Sequence, residues 1–235
     1  MKLNEVLKKL EEVAPVALSD DFCKKYSMYD NSGIIIDCGE EITGAVFSLD
    51  LSSKTVKEAL SRGYNLIVTH HPAIYGGVSR IKSTDPIAQC IKNGISVISM
   101  HLNFDVAPKG IDYHLMLGLG GQTPEILAEV EGGGYGRVYP ITPVRFSEYA
   151  EQIRKEFSTS RAVAFGADKQ INKVASFCGA GCDDKAIEFA AAHGADVFVS
   201  SDMKPHEIAA LTGLGINGSV LPHYSAESKG FNNIY

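Results

Sequence analysis

Asn65–Pro72, NLIVTHHP, is the stretch on which the reading of the chain turns. Leu66 to Thr69 are apolar or β-branched and read as a short buried strand. Pro72 has no N–H to give a sheet ladder and keeps His71 in extended space. The strand therefore ends on two imidazoles, His70 and His71, at its carboxyl end. In an open α/β sheet that end is where ligands bind. Neighbouring side chains on an extended backbone point to opposite faces. A straight strand cannot aim both rings at one metal. Two metals side by side, or a turn that reorients one ring, would resolve the conflict.

Upstream, Asp30-Asn31-Ser32-Gly33 is a turn signal ahead of a strand beginning Ile34–Ile36, and Gly44–Leu49 is a second apolar strand. Ser52–Arg62 reads as a helix, with Ser52 or Ser53 as N-cap, Val56, Ala59 and Leu60 on its apolar face, and Gly63 just past its end. Strand, helix and NLIVTHHP make a βαβ unit, so a right-handed crossover and a parallel pair are expected. Leu3, Val6, Leu7, Leu10 and Val13 recur at helical spacing, which makes the first residues an amphipathic helix rather than an export signal.

Downstream, a loop carries Gly76-Gly77, and a helix over Asp85–Asn93 precedes Gly94. Strand Ile95–Met100 also ends in a histidine, in the run His101-Leu102-Asn103-Phe104-Asp105. A short helix is expected over His114–Leu119. The glycine-rich Glu131–Gly136 is the best boundary, giving a first α/β lobe over 1–130 and a second over 131–235. The second lobe again alternates strands and helices: strand Arg137–Ile141, helix Ser147–Phe157 capped by Ser147, strands Ala162–Phe165 and Lys173–Cys178, helix Asp184–His193, strand Asp196–Val199, helix Pro205–Leu211 and strand Gly218–Leu221. No short-period repeat is visible.

The 235 residues carry a net charge of −6, with a pI near 5.6. No general basic surface invites nucleic acid or anionic lipid. No apolar run approaches the ~18 residues of a membrane span. The five cysteines form no CxxC pair, so neither a disulfide framework nor a thiolate zinc site is expected, and a reducing cytoplasm fits.

His70, His71, Asp105, His223 and Glu227 are three imidazoles and two carboxylates without sulfur. That donor set suits Zn, Fe, Mn, Co or Ni without choosing among them. If the segment after His223 is helical, His223 and Glu227 share a face. On spacing alone a lone His-His pair is more often a polar strand end than a ligand pair. FCGAGCDD, Phe177–Asp184, has the look of a phosphate loop, but Asp184 stands where a third glycine belongs and the two aspartates would repel phosphate. A tight turn is the better reading, with Cys178 and Cys182 as packing residues.

Several stretches together resemble the Nif-three-like family, also called GTP cyclohydrolase I type 2 homologues. They are YDNSG at Tyr29–Gly33, NLIVTHHPAIY at Asn65–Tyr75, HLNFDVAPKGID at His101–Asp112, GGGYGRV at Gly132–Val138, FCGAGCDD, SDMKPHE at Ser201–Glu207 and HYSAE at His223–Glu227. The resemblance implies two α/β lobes with two divalent metal ions in the cleft between them. His71 and Asp105 would bind one ion, His70 and His223 the other, and Glu227 would bridge. His101 and His206 match positions near such a site and are assigned to catalysis or substrate contact; Asp30 and Asn31 are assigned to turn chemistry. Tyr29 departs from the family's usual tryptophan, and Pro205 from its usual aromatic. The function implied is a metal-dependent hydrolase acting on a nucleotide or another small polar substrate. The alternative is a non-catalytic metal-binding, metal-trafficking or interaction scaffold. A ring-shaped homohexamer is implied for either.

Overall fold

The computed structural model describes residues 1–39 and 41–234, so Glu40 of the segment after the DNSG turn and the terminal Tyr235 lie outside the described residues. The chain forms two compact units, Met1–Ala107 and Pro108–Ile234.

In the first unit, helices α1 (Leu3–Glu11) and α2 (Val16–Tyr26) precede strand β1 (Gly33–Ile36). Then follow β2 (Ala45–Ser48), α3 (Ser53–Arg62), β3 (Leu66–Thr69), α4 (Pro86–Lys92), β4 (Ser96–Ser99) and the short α5 (Leu102–Val106). The sheet order is β1-β4-β3-β2. Strands β2, β3 and β4 are parallel, as the βαβ reading expects, and β1 is antiparallel to β4. The register sets Ser48 beside Thr69 and Thr69 beside Ser99. The three carboxyl ends therefore stop level, and the residues that follow them gather at one edge. Helix α3 starts where expected: Ser52 accepts the Thr55 N–H at 3.2 Å, and Gly63 closes the helix at φ 67°. Its Val56 and Ala59 pack with Ile67, Cys90 and Val97 in the core of this unit. Helix α2 has no counterpart in the sequence reading. Its polar residues, Ser19, Asp20 and Asp21, dilute the apolar period there.

The second unit contains α6 (Ile111–Gly118), β5 (Glu125–Val130), β6 (Gly133–Arg145), α7 (Phe146–Glu156), β7 (Val163–Phe165), β8 (Gln170–Ser176), α8 (Asp184–Ala192), β9 (Val197–Ser200), α9 (Pro205–Gly213), β10 (Asn217–Val220) and α10 (His223–Ile234). Its sheet order is β5-β6-β8-β9-β10-β7. Strands β8, β9 and β10 are parallel, while β7 and β6 flank them antiparallel. Taken as β7-β10-β9-β8, these four strands reproduce the first unit's β1-β4-β3-β2 in order, direction and chain sequence. The chain thus repeats one supersecondary plan, without a short sequence period to announce it.

The division falls between Ala107 and Pro108, not at the glycine run where the sequence suggested it. Glu131 and Gly132 are the turn of the β5–β6 hairpin. Gly136, at φ 74°, needs its missing side chain for packing: a Cβ there would stand 2.2 Å from the Phe177 ring. Glycines that look like a linker are thus a close approach inside one core. Asp112 of α6 accepts the backbone N–H groups of Gly136 and Cys178, both at 3.0 Å, and pairs with the buried Arg137 guanidinium. These bonds explain why α6 belongs with the second unit. Asp168 rather than Ser147 caps α7, accepting the Ser147 N–H at 3.0 Å. Phe177 and Phe198 stack at 4.9 Å in the core of this unit, with Cys182 and Leu211 beside them.

Candidate metal centre

The first unit brings His70, His71, His101 and Asp105 to the carboxyl edge of its sheet. The chain bends at His70 and His71 instead of continuing straight. The Thr69 hydroxyl donates to the His71 carbonyl at 2.8 Å, which holds the bend. The two rings end 4.9 Å apart between centroids. The bend leaves both adjacent rings at the same edge of the sheet. His101 follows β4 and opens α5, one turn before Asp105. Asn103 fixes that helix by donating to the Ala14 carbonyl at 2.7 Å. Ligand atoms of His70, His101 and Asp105 lie within 4.8 Å of one another. Asp105 Oδ1 is 3.6 Å from His70 Nε2.

Each ring is held from behind by its Nδ1. That of His70, fully buried, lies 2.8 Å from the Met100 carbonyl oxygen. Because a carbonyl only accepts, this nitrogen carries the proton and the lone pair lies on Nε2. His71 Nδ1 donates to Asp50 at 2.8 Å, and His101 Nδ1 to Asp30 at 2.7 Å. Asp30 also accepts from the Ser19 and Ser32 hydroxyls, at 2.6 and 2.5 Å. Burial alone would raise its pKa, but these hydrogen bonds from His101, Ser19 and Ser32 outweigh it and hold the carboxyl well below the usual carboxylate range. Local turn chemistry is therefore only part of what Asp30 does.

The second unit presents a different pair. Helix α10 begins at His223, so His223 and Glu227 share a face, and His223 Nε2 lies 2.8 Å from Glu227 Oε1. His223 Nδ1 lies 2.5 Å from Asp202, which follows β9. The hydrogen bond to Glu227 leads in pushing His223 up to about 9, with Asp202 adding to it against partial burial. Gly179, at φ 58°, brings the β8–α8 loop against this pair; a Cβ there would stand 3.1 Å from Glu227 Oε1. That loop is the tight turn expected of FCGAGCDD: Asp183 caps α8 by accepting the Ala186 N–H at 2.8 Å. His206 sits exposed in the first turn of α9, its Nε2 3.9 Å from Glu207.

Imidazoles with Nδ1 anchored and Nε2 presented, next to carboxylates, are the donor chemistry that borderline divalent ions take. The first unit carries a group of histidine and acid, His70, His101 and Asp105, that could hold a metal ion, and the second a His223–Glu227 pair of the same donor types. Asp50 and Asp202 escaped the sequence reading. Both follow an apolar parallel strand within a few residues, the same signal that drew notice to His70 and His101.

A family profile, Duf34/NIF3 (NGG1p interacting factor 3), matches residues 1–235. The chain belongs to the DUF34/NIF3 family. A Clostridium perfringens protein named GTP cyclohydrolase 1 type 2 homolog is 30% identical over 238 residues, covering 97% of this chain and 87% of that protein. Among solved structures, a Bacillus cereus protein related to NIF3 superposes with a TM-score of 0.86 at 20% identity, over 99% of this chain and 92% of that one. Reduced HcgD from Methanocaldococcus jannaschii gives a TM-score of 0.79 at 26% identity, over 99% and 91%. The mixed α/β fold with two sheets is that of NIF3 proteins. No described helix is long and apolar enough to cross a membrane.

Proposed function

We propose that this NIF3 chain is a metal-dependent hydrolase whose two histidine–acid groups serve one dinuclear centre, acting on a nucleotide or another small polar substrate. What carries the reading is the anchoring of all four rings. His70, His71, His101 and His223 each have Nδ1 against a carbonyl or carboxylate oxygen, with Asp105 close to Nε2 of His70 and Glu227 close to Nε2 of His223. Following the family likeness, His71 and Asp105 would hold one ion, His70 and His223 the other, with Glu227 shared. A bound pair of divalent ions supplies Lewis acidity, stabilising charge that develops on an oxygen. The chain's own part is to orient the substrate and move protons. His101, through Nε2, would accept or give a proton; His206, exposed on α9, is assigned to substrate contact. The same reading carries a homohexameric ring, a cytoplasmic setting, and two divalent ions drawn from Zn, Fe, Mn, Co and Ni.

The test is a screen of metal-loaded protein against nucleoside triphosphates and phosphodiesters. Turnover that disappears in His71→Ala and in Glu227→Ala, and on treatment with a chelator, supports the reading. Undiminished turnover in chelator-treated protein contradicts it.

A further inference from the structure

We propose that Asp30 is a positioning residue: its buried carboxylate holds the Nδ1–H of His101 and so turns the Nε2 lone pair of that ring toward His70 and Asp105. This role rests on the first unit being a metal-binding group, since it gives the oriented nitrogen its purpose.

The geometry is that of a clamp. Asp30 belongs to the turn before β1 and its side chain is 1% exposed. A buried carboxylate is costly unless its oxygens are satisfied. Oδ2 takes both hydroxyls, from Ser19 on α2 and from Ser32 in the turn itself. Those bonds alone would serve the turn. Oδ1 is spent on a ring 71 residues further along the chain. Ser32 Oγ in addition accepts the backbone N–H of His101 at 3.1 Å. One four-residue turn thus holds both the backbone and the ring of His101, whose φ of −98° and ψ of −104° belong to neither helix nor strand. The other Nδ1 partner of a ring decides which nitrogen keeps the lone pair.

The internal repeat supports the assignment independently. His101 and Asp105 follow the third parallel strand of the first unit, four residues apart. His223 and Glu227 follow the third parallel strand of the second, also four apart. In each repeat an aspartate stands behind the histidine, Asp30 in one and Asp202 in the other. The two aspartates come from different places in the plan, the turn before β1 and the loop after β9. The same contact has been built twice by different routes.

The experiment is ¹⁵N-histidine NMR on chelator-treated protein at neutral pH, with the His101 signals identified by their loss in His101→Gln. The expected result is a His101 ring with its proton on Nδ1 in the wild type and in Asp30→Asn, whose amide oxygen still accepts. Asp30→Ala should move the ring to a mixture or to the Nε2–H form. Ser19→Ala, which removes a donor from the other carboxylate oxygen, should leave the ring in its wild-type form. In loaded enzyme, Asp30→Ala should lose turnover by about 10–100-fold, with Asp30→Asn between it and the wild type. An Nε2–H ring in the wild type, or an unchanged ring in folded Asp30→Ala, overturns the assignment. If Asp30→Ala does not fold, the wild-type tautomer and the intermediate turnover of Asp30→Asn decide. An Nδ1–H ring in a wild type that binds no metal would keep the positioning role and overturn the metal reading.

Discussion

The two units share one plan and arm it differently. In each, three parallel strands with two intervening helices are flanked by an antiparallel strand, and a histidine follows the third parallel strand with an acid four residues on. The first unit adds two imidazoles at the end of its second strand, where the second unit has Ser201 and Asp202. The supports differ as well. His70 and Asp30 in the first unit are buried and bonded before any ion arrives. Asp202 in the second is 55% exposed, and His223 lies between two carboxylates that push its pKa up. The first unit anchors two of its rings on buried acceptors, although Asp50 behind His71 is exposed. The second holds its histidine against Glu227 and Asp202, whose carboxylates raise its pKa. Preorganisation here comes from buried acceptors; the second unit's buried carboxylate, Asp112, is spent elsewhere, on Arg137 and two backbone N–H groups.

That buried pair gives the largest expected effect. Arg137→Met leaves the Asp112 carboxylate buried without its counter-charge and should cost about 3–5 kcal/mol in urea unfolding. The damage should be felt first by the β8–α8 loop against His223 and Glu227, because Asp112 also holds the Cys178 N–H. Histidine tautomers of the first unit should be unchanged in the folded variant. A loss under about 1 kcal/mol, within the range of an ordinary surface change, would mean the pair does not hold this unit together.

A second effect is in pH. His223 has its pKa raised from 6.5 to about 9. In chelator-treated protein its stabilising contribution is therefore complete below about pH 6.5 and is lost as pH climbs through about 9. Metal uptake runs the other way, tightening over the same window, because the ring must release its Nε2 proton to serve as a ligand. Melting temperatures of wild type and His223→Gln across this range should converge at the alkaline end. Equal separation at pH 6 and pH 9.5 would remove the ion pair from the comparison.

The smallest effect sharpens the likeness between the units. Helices α3 and α8 occupy equivalent places and are capped alike, by Ser52 on the Thr55 N–H and by Asp183 on the Ala186 N–H. Ser52→Ala and Asp183→Ala should each cost about 1 kcal/mol. Costs that differ severalfold would show that the two caps are not equivalent.

Much of this was legible in the chain. The βαβ pattern around NLIVTHHP, the Ser52 cap, the Gly63 stop and the helical spacing of His223 and Glu227 are all local signals, and local signals survive in sequence. What was hidden depends on long-range partners. Gly136 looked like a linker because nothing nearby reveals Phe177 against it. Asp30 looked like a turn residue because its ring partner lies 71 positions away. The bend after Thr69 rests on one side-chain hydrogen bond that no periodicity reports. The repeat of the plan was missed because it is conserved in strand order and not in residue spacing.

The central claim is that the histidines and acids of the two units hold a pair of divalent ions. Crystals of metal-loaded protein, with anomalous data collected at the absorption edge of the ion supplied, test it most directly. The account predicts two anomalous peaks per chain, in contact with His70, His71, Asp105, His223 and Glu227. No peak at these residues in a protein shown by elemental analysis to carry metal, or peaks at other side chains, would contradict it.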